Sequence, residues 1–198
     1  MKKSFAIACA LLAAQLPALA AQLPAQKNNI SVLDLKWGSS PEEVKKQLLP
    51  RFSVATSASH RFDFLAFEGE LGGRKVTVLP TFTRSSQKLM SVSIIQFIDG
   101  NKLAAEIAQG EWSRILTRKY GKPAVQVRGQ NDIKDAVPFA SDYGDAWRLR
   151  DGTISCYVST PFLWAVNVDY EQDAMQKVGQ VEIDQIFGEH DDAVGKDL

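Results

Sequence analysis

Two stretches of the chain, residues 60–97 and 145–170, consist almost wholly of short runs in which apolar and polar residues alternate. A period of two puts one set of side chains on one face of a strand, so both stretches must give strands with a face turned to a core. In the first, Phe62, Phe64 and Ala66 fall to one side, and Val76, Val78 and Phe82 continue after a Gly72–Gly73 turn. Pro80 marks an edge or a bulge. Ser85 to Lys88 make the next turn. Met90, Val92 and Ile94 then face one way and Ile95 and Phe97 the other, a strand with apolar groups on both sides. In the second stretch Asp151–Gly152 joins runs 145–150 and 153–159. Trp164, Val166, Val168 and Tyr170 point together in the last run.

Each stretch is introduced by a helix. Ser40, Pro41 and Glu43 spell a capping box with proline at the first helical position. Val44 and Leu48 share a face, and Pro50 stops the helix. Ile30 to Leu35, just before it, reads as a short strand. Residues 101–120 form the second helix, with Ala104, Ile107, Ala108, Trp112, Ile115 and Leu116 on one stripe and Gly121 and Pro123 at its end. Gly110 weakens its middle by ~1 kcal/mol relative to alanine, the mark of a bend or a close approach. Residues 122–144 are rich in turn formers and read as a long loop. A third helix covers 171–187 with Ala174, Val178 and Val181 on one face, and 188–198 is a polar tail.

The order is α-βββ-α-βββ-α: an α+β fold whose mostly antiparallel sheet is built from two three-stranded meanders, with helices packed on one face. No linker divides it, so 30–187 is read as a single domain.

The amino terminus is a different kind of segment. Lys2 and Lys3 precede an apolar run, Phe5 to Leu16, and Ala18-Leu19-Ala20 is a small-x-small cleavage site. These are the features of a secretory signal peptide cut after Ala20. A dozen apolar residues fall short of the ~20 that span a bilayer. Cys9 after Ala6-Ile7-Ala8 gives a rival lipoprotein reading, but the better cut site lies downstream. The location expected is periplasmic or secreted, in a bacterium, with 21–29 a flexible leader and no membrane span after processing. Cleavage removes Cys9, so Cys156 has no partner within the chain and a disulfide scaffold is excluded. Between Ile154 and Val158, Cys156 reads as a buried, inert thiol.

The segment WGSSPEEVKKQL at 37–48, followed by strands and later by a helix ending in KYGKP at 119–123, resembles small secreted bacterial α+β proteins of unassigned function. Its Gly-Ser-Ser-Pro-Glu-Glu-Val start is also similar to the first helix of the outer-membrane-assembly lipoprotein and β-lactamase-inhibitor folds. That resemblance implies a non-enzymatic binding module on an α+β sheet. The chain departs from those folds by placing three strands, not a second helix, after the first helix, and by lacking the inhibitors' disulfides. No functional residue carries over.

The 23 Lys and Arg balance 23 Asp and Glu, so no bulk field favours nucleic acid. His60 and His190 have no companion at ligand spacing, and no metal site is expected. No glycine-rich phosphate fingerprint or nucleophile elbow is present, so neither a cofactor nor a catalytic residue is assigned. Ser85-x-x-Lys88 matches a serine–lysine string, but it falls in a turn. Glu68 and Glu70 share a strand face beside the Gly72–Gly73 turn, where water reaches both. Arg148 and Arg150, opposite Trp147 and Leu149, together with Arg84, are the candidate partner-binding residues, because sheet-borne arginines suit carboxylate contacts at interfaces. The expected function is a non-enzymatic module contacting a protein partner in the cell envelope, as adaptor or inhibitor. The alternatives are a carrier of an apolar small molecule, or a hydrolase with its site near the 122–144 loop. Oligomeric state is not legible.

Overall fold

A computed structural model describes residues 29–55, 65–129, 141–160 and 163–194, with the side chains of 187–194 excepted. The segment read as a signal peptide with its expected Ala20 site, the stretch read as a leader to residue 28, His60, Phe62, Phe64 and the centre of the 122–144 loop lie outside the described residues, as does the side chain of His190.

Helix α1 spans Pro41–Leu48. The Glu43 N–H donates to Ser40 Oγ at 3.4 Å, and the Ser40 N–H donates to Glu43 Oε2 at 2.8 Å. Both halves of the capping box are therefore made. The contacts with Ser40 hold the Glu43 carboxyl below its ordinary range. Four strands follow: β1 Phe52–Val54, β2 Phe67–Leu71, β3 Arg74–Phe82 and β4 Leu89–Phe97. Helix α2, Lys102–Tyr120, leads to four more: β5 Val125–Arg128, β6 Tyr143–Arg148, β7 Gly152–Ser159 and β8 Ala165–Gln172. Helix α3, Asp173–Val194, closes the chain and continues into the stretch read as a tail.

The eight strands of the described residues form one antiparallel sheet in the order β1-β2-β3-β4-β8-β7-β6-β5. The two meanders meet at β4 and β8, and each has four strands where the alternation gave three. The additions, β1 and β5, are the outermost and the shortest. Residues 30–35, expected as a strand, instead hold a turn in which Leu33 and Asp34 take φ of 50° and 60°. The segment is pinned from outside: the Ile30 N–H donates to Asp151 Oδ1 at 2.7 Å, and Tyr120 Oη donates to the Ser31 carbonyl at 2.5 Å.

One face of the sheet carries the core. Phe67, Val78, Ile94, Val168 and Cys156 fall in one transverse row across β2, β3, β4, β8 and β7. They share a single cluster with Val44 and Leu48 of α1 and Trp112 and Leu116 of α2. Cys156 is fully buried and unpaired, as read from its neighbours. Pro80 lies within an inner strand, one residue before a register shift at Thr81/Phe82, so it marks a bulge and not an edge.

The stripe that α2 buries keeps Trp112 and Leu116 of the one its apolar spacing gave, with Ala108 packed against the core, but is rotated away from Ile107. Ala105, Gln109, Trp112, Ser113, Leu116 and Tyr120 face inward, whereas Ile107 is 58% exposed. The reason is polar. Gln109 Nε2 donates to Asp145 Oδ2 at 2.9 Å and to the Cys156 carbonyl at 3.0 Å, all three groups being buried. A fully buried carboxylate on β6 needs donors, and the helix turns a glutamine towards it. Gln126 and Arg128 of β5 supply the rest, to Asp145 Oδ1 at 3.2 and 2.7 Å. Gly110 has open space about it, so neither packing nor approach explains it.

Candidate functional site: the polar face of the sheet

Because strand side chains alternate, the register that aims Val92, Ile94, Val166, Val168 and Tyr170 into the core aims their neighbours at the opposite face. Three transverse rows result. Ser91, Glu171, Thr153 and Arg148 lie in the first, Ser93, Asp169 and Ser155 in the second, and Ile95, Asn167 and Tyr157 in the third. Hydroxyls from β4 and β7 thus flank a line of Asn167, Asp169 and Glu171 on the central strand β8. Among the described residues this face has no counterpart of the apolar cluster opposite; a small group, Val127 and Ala146 with Val125 and Tyr157, sits at its β5–β6 side.

The groups are organised by hydrogen bonds. Tyr157 Oη donates to Asp169 Oδ2 at 2.8 Å, and Asn167 Nδ2 donates to Ser159 Oγ at 2.5 Å. Burial pushes the Asp169 carboxyl above its ordinary value, against the opposing pull of hydrogen bonds from Ser93 and Tyr157. Burial and the neighbouring Asp169 raise the Tyr157 phenol, which therefore stays a donor at neutral pH. Glu171 meets solvent at the surface, yet its carboxyl is crowded by the sheet and stands near Asp169 and Asp173; desolvation first, then those charges, push it up to about 7.

Arg148 ends the first row. Its Nη1 donates to Thr153 Oγ1 at 3.0 Å and to Asp173 Oδ1 at 2.8 Å, and its Nη2 donates to Asp173 Oδ2 at 2.5 Å. The side chain is 14% exposed, and the fork is engaged by a carboxylate of its own chain. Arg150 and Arg84 are exposed, in the β6–β7 and β3–β4 turns, both at the end of the sheet where β8 passes into α3. The three arginines thus share one end of the molecule, with two presented to solvent and one occupied. Glu68 and Glu70 are exposed on β2, and Ser85 and Lys88 lie in a turn, away from these rows.

Hydroxyls, an amide and two carboxylates in register can bind by hydrogen bonding and charge. Tyr157 donates to Asp169, and the Ser93 hydroxyl is hydrogen-bonded to the same carboxylate. On the other face, burial and then Asp145 push the Cys156 thiol well up, which removes thiolate chemistry there. Among the described residues no three His, Cys, Asp or Glu side chains converge to hold a metal, and no helix is long and apolar enough to cross a membrane.

The sequence did carry a signal for this face. In AsnValAspTyrGlu the polar residues at 167, 169 and 171 alternate as strictly as Val166, Val168 and Tyr170. Comparison of the chain with protein-family models, with curated proteins and with solved structures gives no significant match in any of the three.

Proposed function

We propose that the chain is a non-enzymatic binding module, exported to the cell envelope, that engages a protein partner through the polar face of its sheet. The observation that carries this reading is the asymmetry of the sheet: one face is filled by apolar side chains and helices, and the other is laid out with register-matched hydroxyls around Asn167, Asp169 and Glu171. A rigid antiparallel sheet holds such groups in fixed spacing, which favours recognition by many modest hydrogen bonds. The carboxylate line selects a partner segment bearing Lys or Arg, and the exposed Arg84 and Arg150 at the sheet end supply a second contact of opposite sign. The leader ending at Ala20 supports export. The space between sheet and helices, where an apolar small molecule would sit, is occupied by Trp147, Ile154 and Val166, each without exposed surface.

The test is site-specific photocrosslinking in the native host with the full chain. A probe at Ser91 or Ser93, both partly exposed on β4, is expected to give one discrete adduct that Glu171→Lys weakens, while a probe at Arg114, on the exposed side of α2, gives none. Equal adducts from both faces, or none from the sheet face, would sink the reading.

A further inference from the structure

Helix α3 is attached to the body in an unusual way. It runs for 22 residues, yet none of them belongs to either apolar cluster among the described residues. Among its described side chains the buried one is a carboxylate: Glu182 is 8% exposed. Val181 is more than half exposed, and Val178 and Ile183 also meet solvent. The stripe Ala174, Val178 and Val181, expected to face the core, points outward instead.

Two polar joints hold the helix. At its first residue, Asp173 takes the fork of Arg148, and its N–H donates to the Asp151 carbonyl at 3.0 Å. Nine residues on, Glu182 accepts from the β3–β4 turn: the Ser85 N–H at 2.6 Å, the Ser86 N–H at 3.2 Å and Ser86 Oγ at 2.5 Å. That turn is itself prepared, since Thr83 Oγ1 meets Ser86 Oγ at 2.8 Å and accepts the Lys88 N–H at 3.0 Å. Between the joints the helix crosses closely. An alanine Cβ at Gly179 would stand 3.0 Å from Met90 Sδ and 3.7 Å from Thr83 Cγ2, and one at Gly38 would stand 3.4 Å from Met175 Sδ. These are light contacts beside the burial that normally fixes a helix to a domain.

From this geometry we infer that α3 is a releasable strap, hinged at Asp173 and latched by the Glu182 carboxylate on the Ser85–Ser86 turn. When the latch opens, the helix swings about Asp173 and uncovers Met90 and Thr83, beside Ser91 at the end of the polar face. Release costs little apolar burial, and charge-assisted contacts weaken as ions screen them, so the strap opens without the sheet coming apart.

The experiment is hydrogen exchange on the full chain, wild type and Glu182→Ala, at roughly 20 mM and roughly 0.5 M salt. Alanine keeps helix propensity, so the substitution acts on the latch. The expected result is exchange in 174–186 and at the Ser85 and Ser86 amides accelerated roughly tenfold or more by the substitution, and in wild type by salt, with β8 amides 166–171 unchanged. The wild-type salt arm stands if the variant fails to fold. Acceleration of α3 only together with β8 would make the helix an integral part of the fold and overturn the proposal. So would exchange that neither salt nor substitution moves.

Discussion

Gly152 and Gly110 are both glycines in regular elements, but their surroundings give substitution opposite signs. A Cβ at Gly152 would lie 2.2 Å from the Glu171 carbonyl and 3.1 Å from Ile30, so backbone must move to admit it. Gly152→Ala is expected to cost about 2 kcal/mol or more in denaturant unfolding. Gly110→Ala, in open space within α2, is expected to stabilise by about 0.5–1 kcal/mol in the same assay. Glu171 gives a pH signature. Its folded value, about 7, lies above its ordinary 4.5, so the fold favours the protonated form. That contribution is complete below about 4.5 and is lost as pH rises through about 7. Unfolding midpoints should therefore fall between those values, and Glu171→Gln should flatten the decline, leaving the slope that Asp169, raised in the same direction, supplies. A midpoint that rises over that interval would contradict the environment described for this carboxyl. None of these neighbours is legible locally: Glu171 and Gly152 meet only because β7 and β8 pair.

At the level of elements, what could be read depended on how many residues repeated a signal. The runs that became β3, β4, β7 and β8 are eight or nine residues long and declared themselves by alternation. β1, three residues after a helix-stopping proline, offers no period to detect. β5 does alternate, as ValGlnValArg, but inside a stretch so rich in turn formers that the loop signal dominated. In α2 the apolar spacing found Trp112 and Leu116 but set the stripe too far towards Ile107, because two inward positions are polar, and Gln109 is there for Asp145. Gln109→Leu would strip one donor from that buried carboxylate and one from the Cys156 carbonyl. It is expected to destabilise by about 1–3 kcal/mol by calorimetry despite the better match to an apolar face. A stabilised variant would mean that Gln126 and Arg128 suffice.

For the whole molecule, the doubling of helix and strands was visible as an order of elements, while the seam between the halves was not. It consists of β4 against β8, seven residue pairs from Ser91↔Glu171 to Phe97↔Ala165, and one core runs beneath it. Neither half can bury Val92, Ile94, Val166 and Val168 alone. Fragments 21–100 and 101–198 are each expected to show no cooperative thermal transition by circular dichroism, and to regain one when mixed; a fragment that melts cooperatively alone would refute a shared core. The two outermost strands have a further consequence. Protein sheets become dangerous at their rims, where unsatisfied amides invite a neighbour to add on, and among the described residues the rims are β1 and β5, with three and four residues. So little exposed ladder gives a colliding copy scant purchase for cross-molecule stacking. The breadth of an eight-stranded sheet therefore brings little of the fibril-forming hazard that wide, flat-edged sheets carry.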